Sequence, residues 1–178
     1  MTSKRTLDAS CPRDYETLTS TTSFISSENK ELINTLKSDL IDTLREEWWI
    51  WLAASQIWEL KSMFIINVKR IAEKDWSPSK ELKKLTDENG FLCIINWIIQ
   101  AQSEQTESQQ EMCISIPWQI FEVTRPREVI VSFINEAGTN FQWNLKWLLA
   151  RAYQHEHDHT KGEIICNKWK KIENEVNQ

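Results

Sequence analysis

The sequence is poor in the residues that form turns. Three glycines and four prolines occur among 178 residues. Sandwiches and barrels of β-strands need many turns, which glycine and proline usually provide. Their scarcity disfavours an all-β fold and favours long helices.

Long apolar runs and an excess of positive charge are also missing. The longest apolar stretches, Trp48–Ala54 and Phe91–Ile99, are far shorter than the roughly 20 residues that span a bilayer. The formal net charge is −5, so the basic surface that binds nucleic acid is absent. We therefore expect neither a membrane span nor a nucleic-acid partner.

Four cysteines, Cys11, Cys93, Cys113 and Cys166, show no metal or redox spacing. The first 25 residues lack the apolar core of a signal peptide. We therefore predict a cytoplasmic protein with reduced thiols, most of them buried as small apolar side chains.

The N-terminal segment differs in composition from the rest of the chain. Residues 1–27 contain twelve serines or threonines and few large apolar groups. This composition predicts a flexible leader over residues 1–27, followed by one domain over residues 28–178.

The apolar periodicity within residues 28–178 predicts four helices. The first begins near Glu28, the second follows Trp76-Ser77-Pro78, the third covers about 124–138, and the last covers about 140–172. With no clear strand between them, these helices predict an all-α four-helix bundle. The expected core residues are Leu82, Leu85, Leu92, Leu145, Leu148 and Ala152.

All three histidines lie in one short segment, as His155, His157 and His159. On a helix, positions four apart share a face, so His155 and His159 point inward and His157 points away. Two imidazoles at this spacing can hold one metal ion. The alternative is a hydrogen-bonded polar layer without a metal.

The segment from His155 to His159 also matches the H-E-x-x-H pattern of zinc proteases. In those enzymes the glutamate acts as a base and a third ligand follows further along the chain. No histidine follows His159, and the later acids Glu173 and Glu175 fall near the end of the same predicted helix. The protease interpretation is therefore disfavoured.

The run Leu148–His159 resembles the last core helix of the DinB/YfiT-like proteins, and Trp76-Ser77 resembles their second-helix signature. The resemblance implies a four-helix bundle with a zinc or nickel site at His155 and His159, and a metal-dependent transferase or hydrolase of unknown substrate. Lys84 stands where that family has its first histidine ligand. An ammonium has no lone pair, so a nearby Asp87, Glu88 or Cys93 completes the site, or the metal is absent. The alternative function is a non-catalytic bundle that acts through dimerisation or protein interaction.

Ten tryptophans are an unusual number for a chain of this length. Trp48, Trp51 and Trp58 continue the apolar stripe of the first predicted helix, which favours core packing. The alternative is a tryptophan-rich face for an apolar ligand or for a homodimer. We expect a homodimer.

Overall fold

The computed structural model describes residues 3–72 and 85–172. Within these ranges it contains two antiparallel sheets and few helices. The helices are α1 (Pro12–Leu18), α2 (Lys30–Glu47), α3 (Val68–Ala72), α4 (Trp147–Thr160), α5 (Ile165–Lys168) and a 3-10 turn (Ala54–Ile57). The strands are β1 (Trp51–Ala53), β2 (Met63–Asn67), β3 (Phe91–Gln102), β4 (Thr106–Cys113), β5 (Ile116–Pro126), β6 (Glu128–Ile134), β7 (Asn140–Lys146) and β8 (Lys170–Lys171).

The larger sheet has the strand order β1-β2-β3-β6-β7 and is covered on both faces. Phe64 and Ile66 of β2 face a core that includes Tyr153 of α4. Ile65, between them, faces a second core that includes Leu36 and other residues of α2. Side chains alternate across a strand, so one sheet separates two apolar cores.

The smaller sheet has the strand order β4-β5-β8. Its two long strands form a hairpin in which Glu111 pairs with Phe121 and Cys113 pairs with Ile116. A separate small core fills the space beneath it, formed by Cys113, Ile116, Phe121, Val123 and Ile165. The hairpin thereby carries Glu111 and Cys113 toward the interior.

The predicted all-α four-helix bundle is wrong. Phe91–Ile95, assigned to the second helix, forms the fully buried start of β3. A strand buried on both faces reads as a continuous apolar run, and periodicity cannot distinguish it from a buried helix. The third predicted helix, over about 124–138, is instead the end of β5 and the strand β6.

Two of the four predicted helices are found in shortened form. Helix α2 begins at Lys30 and buries the predicted stripe, but it ends at Glu47, before Trp48. The last predicted helix holds only over Trp147–Thr160, because Asn140–Lys146 form β7.

Part of the predicted core is correct. Leu92, Leu145 and Ala152 are buried, whereas Leu85 and Leu148 are half-buried. Leu82 and the predicted helix start at Trp76, Ser77 and Pro78 lie outside the described residues.

The segment predicted as a flexible leader has defined structure from residue 3 onward. Pro12–Leu18 form α1, and Leu7, Leu18 and Ile25 are buried. Asp14 in α1 is also buried and accepts two hydrogen bonds from Arg5. Ile25 packs in the core beside α2, and Leu7 and Leu18 pack with Ile164, so the segment is attached to the rest of the chain.

The described helices include none that combines the length and apolar character needed to cross a bilayer.

The core between β2 and α4 predicts a large difference between two phenylalanine substitutions. Phe64 is fully buried and packs against Trp97 at 4.5 Å and Tyr153 at 5.4 Å between ring centroids. Phe64→Ala should lower the free energy of unfolding by about 3–5 kcal/mol. Phe24→Ala, at a 63% exposed position, is the matched control and should change it little. Equal losses in urea unfolding would contradict this assignment of the core.

Candidate metal centre

The histidine-bearing helix α4 lies between the larger sheet and the β4–β5 hairpin. Its residues Leu149–Glu156 are all buried, including the polar Arg151, Gln154 and His155. A helix buried all round must have partners for its polar side chains. The hairpin supplies several of these partners.

The structure brings Cys113, His155 and His159 together. One ligand atom of each lies within 4.8 Å of the others, and all three residues are buried. The Cys113 Sγ is 3.4 Å from His159 Nε2, and the two imidazole centroids are 5.2 Å apart. His157 lies outside this cluster.

This donor set suits a metal ion. Thiolate and imidazole are ligands of zinc, iron and nickel, and three protein ligands leave a position for water or substrate. The buried Nδ1 of His159 has no hydrogen-bond partner among the described residues. Three protein ligands with one open position fit a catalytic metal site better than a structural one.

The third group of the cluster corrects the sequence analysis. We expected Lys84 to approach the histidine pair, with Asp87, Glu88 or Cys93 as possible replacements, but Lys84 lies outside the described residues. Cys113, at the end of β4, takes this place. Sequence spacing missed it because strand and helix meet only in the fold. The H-E-x-x-H match could have indicated this metal site. In this chain the third ligand precedes the two histidines in the sequence, whereas in zinc proteases it follows them.

The environment of Cys113 favours its thiolate. Burial opposes ionisation, but the electrostatic interaction with His159 and hydrogen bonds with both histidines outweigh it and lower the pKa of the Cys113 thiol to about 5. Gln56 Nε2 also lies 3.5 Å from Cys113 Sγ and 3.2 Å from Ser115 Oγ. The thiolate is the form that binds metals.

Glu111 orients His155. Its Oε2 is 3.0 Å from His155 Nδ1. Burial opposes its ionisation, but hydrogen bonds from His155 and Arg125 lower the pKa of Glu111 to about 2. The ionised carboxylate can only accept, so Nδ1 donates, and Nε2 is the nitrogen of His155 that can bind an ion once it has lost its proton.

Two buried arginines hold Glu111. Arg125 donates through Nε to Oε1 at 2.8 Å and through Nη2 to Oε2 at 3.0 Å. Arg151 donates through Nη1 to Oε1 at 2.7 Å. Arg125 also reaches Asp158 of α4 at 2.8 Å, so charges from the hairpin and the helix form one network.

Glu156 is a buried acid beside the cluster. It has no exposed surface, and neither carboxylate oxygen has a hydrogen-bond partner within the described ranges. Burial raises its pKa to about 7. A carboxyl group with this pKa can gain or lose a proton near neutral pH, as a general acid or base must.

Two cavities adjoin the cluster. One, of about 370 Å³, reaches His155, and the other, of about 470 Å³, reaches Cys113. The lining of the first is mostly apolar and includes Trp48, Trp49, Ile50, Trp51, Met112, Leu148 and Ala152. It lies between β1, an edge strand of the larger sheet, and β4, an edge strand of the smaller one.

Fold and site together define an α/β protein with a buried Cys-His-His cluster of metal-ligating side chains. The family model for polypeptide deformylase matches residues 11–175. The chain therefore belongs to the polypeptide deformylase family, and its assignment to the DinB/YfiT-like proteins is wrong.

Individual relatives agree with this assignment. The peptide deformylase of Orientia tsutsugamushi (strain Boryong) is 30% identical, and the match covers 76% of this chain and 72% of the relative. That of Clostridium botulinum (strain Alaska E43 / Type E3) is also 30% identical, with 78% and 80% covered. A peptide deformylase structure from Synechococcus elongatus in complex with actinonin superposes with a TM-score of 0.74 at 26% identity, covering 97% of this chain and 80% of that one.

A more distant structure shows the same fold. The peptide deformylase of Legionella pneumophila superposes with a TM-score of 0.76 at 23% identity, covering 93% of this chain and 85% of that one. The fold of two sheets and few helices is thus the family's fold.

The Glu111 network predicts that replacing two glutamates of β4 has different effects on the free energy of unfolding. Glu111→Gln should lower the free energy of unfolding by about 3–5 kcal/mol, because it leaves buried cations without their partner. Glu107→Gln is the matched control, because its side chain is half-buried and 3.7 Å from Arg127; it should cost about 1 kcal/mol or less. Denaturant unfolding at neutral pH measures both. A small loss for Glu111→Gln would show that the arginines find other partners.

Proposed function

We propose that the chain is a metal-dependent hydrolase that removes the formyl group from the N-terminal methionine of peptides. The observation that carries this proposal is the buried cluster of Cys113, His155 and His159 with the buried acid Glu156 next to it. The names of the family and of its relatives supply deformylation of a peptide as the reaction, and the apolar cavity beside His155 favours methionine at the peptide's N-terminus.

Cys113, His155 and His159 would hold one divalent ion, with zinc, nickel and iron as the candidates for this donor set. When bound, such an ion acts as a Lewis acid and makes water a nucleophile near neutral pH. Glu111 and Gln56 then have supporting roles, because Glu111 fixes the ring of His155 and Gln56 donates toward the Cys113 sulfur.

Glu156 is the proposed proton carrier. Water adds its oxygen to the formyl carbon, and the carbon–nitrogen bond of the formamide breaks. Glu156 takes a proton from the attacking water and gives it to the departing amine nitrogen. The second water proton stays on the product formic acid, which ionises to formate. The other product is a peptide with a free amino terminus, and Glu156 ends in its starting state.

The cavity beside His155 is the proposed substrate site. Its apolar lining suits the unbranched methionine side chain, and its volume of about 370 Å³ falls within the usual range for ligand pockets. Because it lies between two edge strands, an extended peptide can pair with free backbone groups there. The homodimer and the cytoplasmic location stay predictions.

The ligand assignment predicts which histidines affect metal content. His155→Ala and Cys113→Ser should each reduce bound metal severely, because each removes one of three ligands. His157→Ala is the matched control from the same helix and should retain the metal. Elemental analysis of untagged protein measures all three variants. Metal loss in His157→Ala alone would contradict the assignment.

The proposed role of Glu156 predicts a variant that loses activity but keeps its metal. Glu156→Gln keeps the shape of the side chain but removes the titrating group, so formate release from a formyl-Met peptide should fall by about 10²–10⁴-fold. Metal content should stay the same. The acetyl-Met peptide is the substrate control and should not be cleaved.

Two results would contradict the proposed function. One is the absence of formate release by the unaltered protein when zinc, nickel and ferrous iron are each supplied. The other is full activity of Glu156→Gln, which would move the proton transfer to another group.

A further inference from the structure

The backbone adopts a left-handed conformation at eight described residues. Three are the glycines and one is an asparagine, both of which tolerate positive φ. The other four are all tryptophans: Trp48 (φ 57°), Trp58 (φ 74°), Trp118 (φ 66°) and Trp147 (φ 56°).

Tryptophan is unsuited to this conformation. In the left-handed region the Cβ atom crowds the following carbonyl oxygen, and for a bulky residue the conformation is a genuine outlier. Glycine has no Cβ and enters the region freely. One such tryptophan could be local strain, but four in one chain need a common cause.

The indole side chains do not explain these positions by packing. Trp48, Trp118 and Trp147 are 74%, 90% and 59% exposed. Trp58 is half-buried and lies against the guanidinium groups of Arg5 and Arg13. Large aromatic side chains normally stabilise a fold through burial. Three of the four tryptophans are exposed, so burial does not offset the strain at their positions.

Two of these positions have a structural reason to be left-handed. Trp48 directly follows α2, and Trp58 directly follows the 3-10 turn that carries Gln56. Helices commonly end on a left-handed glycine. Trp118 lies in β5, two residues after its start, and Trp147 is the first residue of α4, which carries the histidines. Left-handed backbone therefore occurs at four places where the fold carries a tryptophan.

The composition points the same way. An average chain is about 7% glycine, which is about 12 residues for this length. This chain has three glycines and ten tryptophans, and together these make 13. The combined number is thus close to the number of glycines expected for a chain of this length.

We propose that Trp48, Trp58, Trp118 and Trp147 are glycine positions, and that the protein made in its own cell carries glycine there. The codon UGA has different meanings in different genetic codes, including stop, tryptophan and glycine. A gene with UGA at these positions yields this chain where UGA is read as tryptophan, and the glycine form where it is read as glycine. This inference does not depend on the proposed deformylase activity.

The direct test uses the gene and the natural protein. The codons for the four positions should be UGA rather than UGG. Peptide mass spectrometry of the protein isolated from the cells that carry the gene should show each of these residues as glycine. UGG at the four positions, or tryptophan in the natural peptides, would overturn the proposal.

A second test uses recombinant protein and does not need activity. The variant with Trp48→Gly, Trp58→Gly, Trp118→Gly and Trp147→Gly should unfold at a higher temperature, by about 2–4 °C per site. Trp97→Gly is the matched control, because Trp97 is buried against Phe64 and Tyr153 at a residue without positive φ. It should lower the unfolding temperature. A quadruple variant less stable than the original chain would contradict glycine at these positions. Formate release by the unaltered chain tests the proposed function separately, because Trp48 lines the proposed substrate cavity.

Discussion

The ion pair between Glu111 and the two arginines is the interaction on which the site depends. Glu111 and Arg125 come from the hairpin, Arg151 and His155 from α4, and all four are buried. A buried charge without a partner is costly, whereas the fully paired set satisfies each group. This requirement fixes how the hairpin sits against α4, and so places Cys113 opposite the two histidines.

The sequence could predict the local features of this site but not its third ligand. The four-residue spacing of His155 and His159 follows from helix geometry, and the structure does bring them together on α4. Cys113 lies on strand β4 and the histidines lie on helix α4, so no spacing along the chain relates them. The same limit applies to Glu111 and Arg125, whose role exists only once the two elements meet.

The misassigned fold has a similar physical origin. Leu92, Ile94 and Trp97 face one core while Phe91, Cys93 and Ile95 face the other, so β3 has no polar side over these positions. Over so few residues, a buried helix and a strand buried on both faces have the same apolar sequence pattern. The scarcity of glycine strengthened the helical interpretation, although the backbone is also left-handed at four tryptophans. The resemblance to the DinB/YfiT-like proteins rested on Leu148–His159 and on Trp76-Ser77, short segments that a protein of a different fold can also contain.

The division of the ligands between hairpin and helix has a consequence for the order of events in folding. A pair of imidazoles on one helix can form early, but the thiolate joins them only when the hairpin has docked. An ion bound by all three groups therefore favours the docked arrangement over every less complete one, by an amount set by its concentration relative to its dissociation constant. The contact between β4 and α4 should therefore be the part of the molecule whose opening rate depends most on the ion. The supply of metal in the cell would then control how long this contact stays closed.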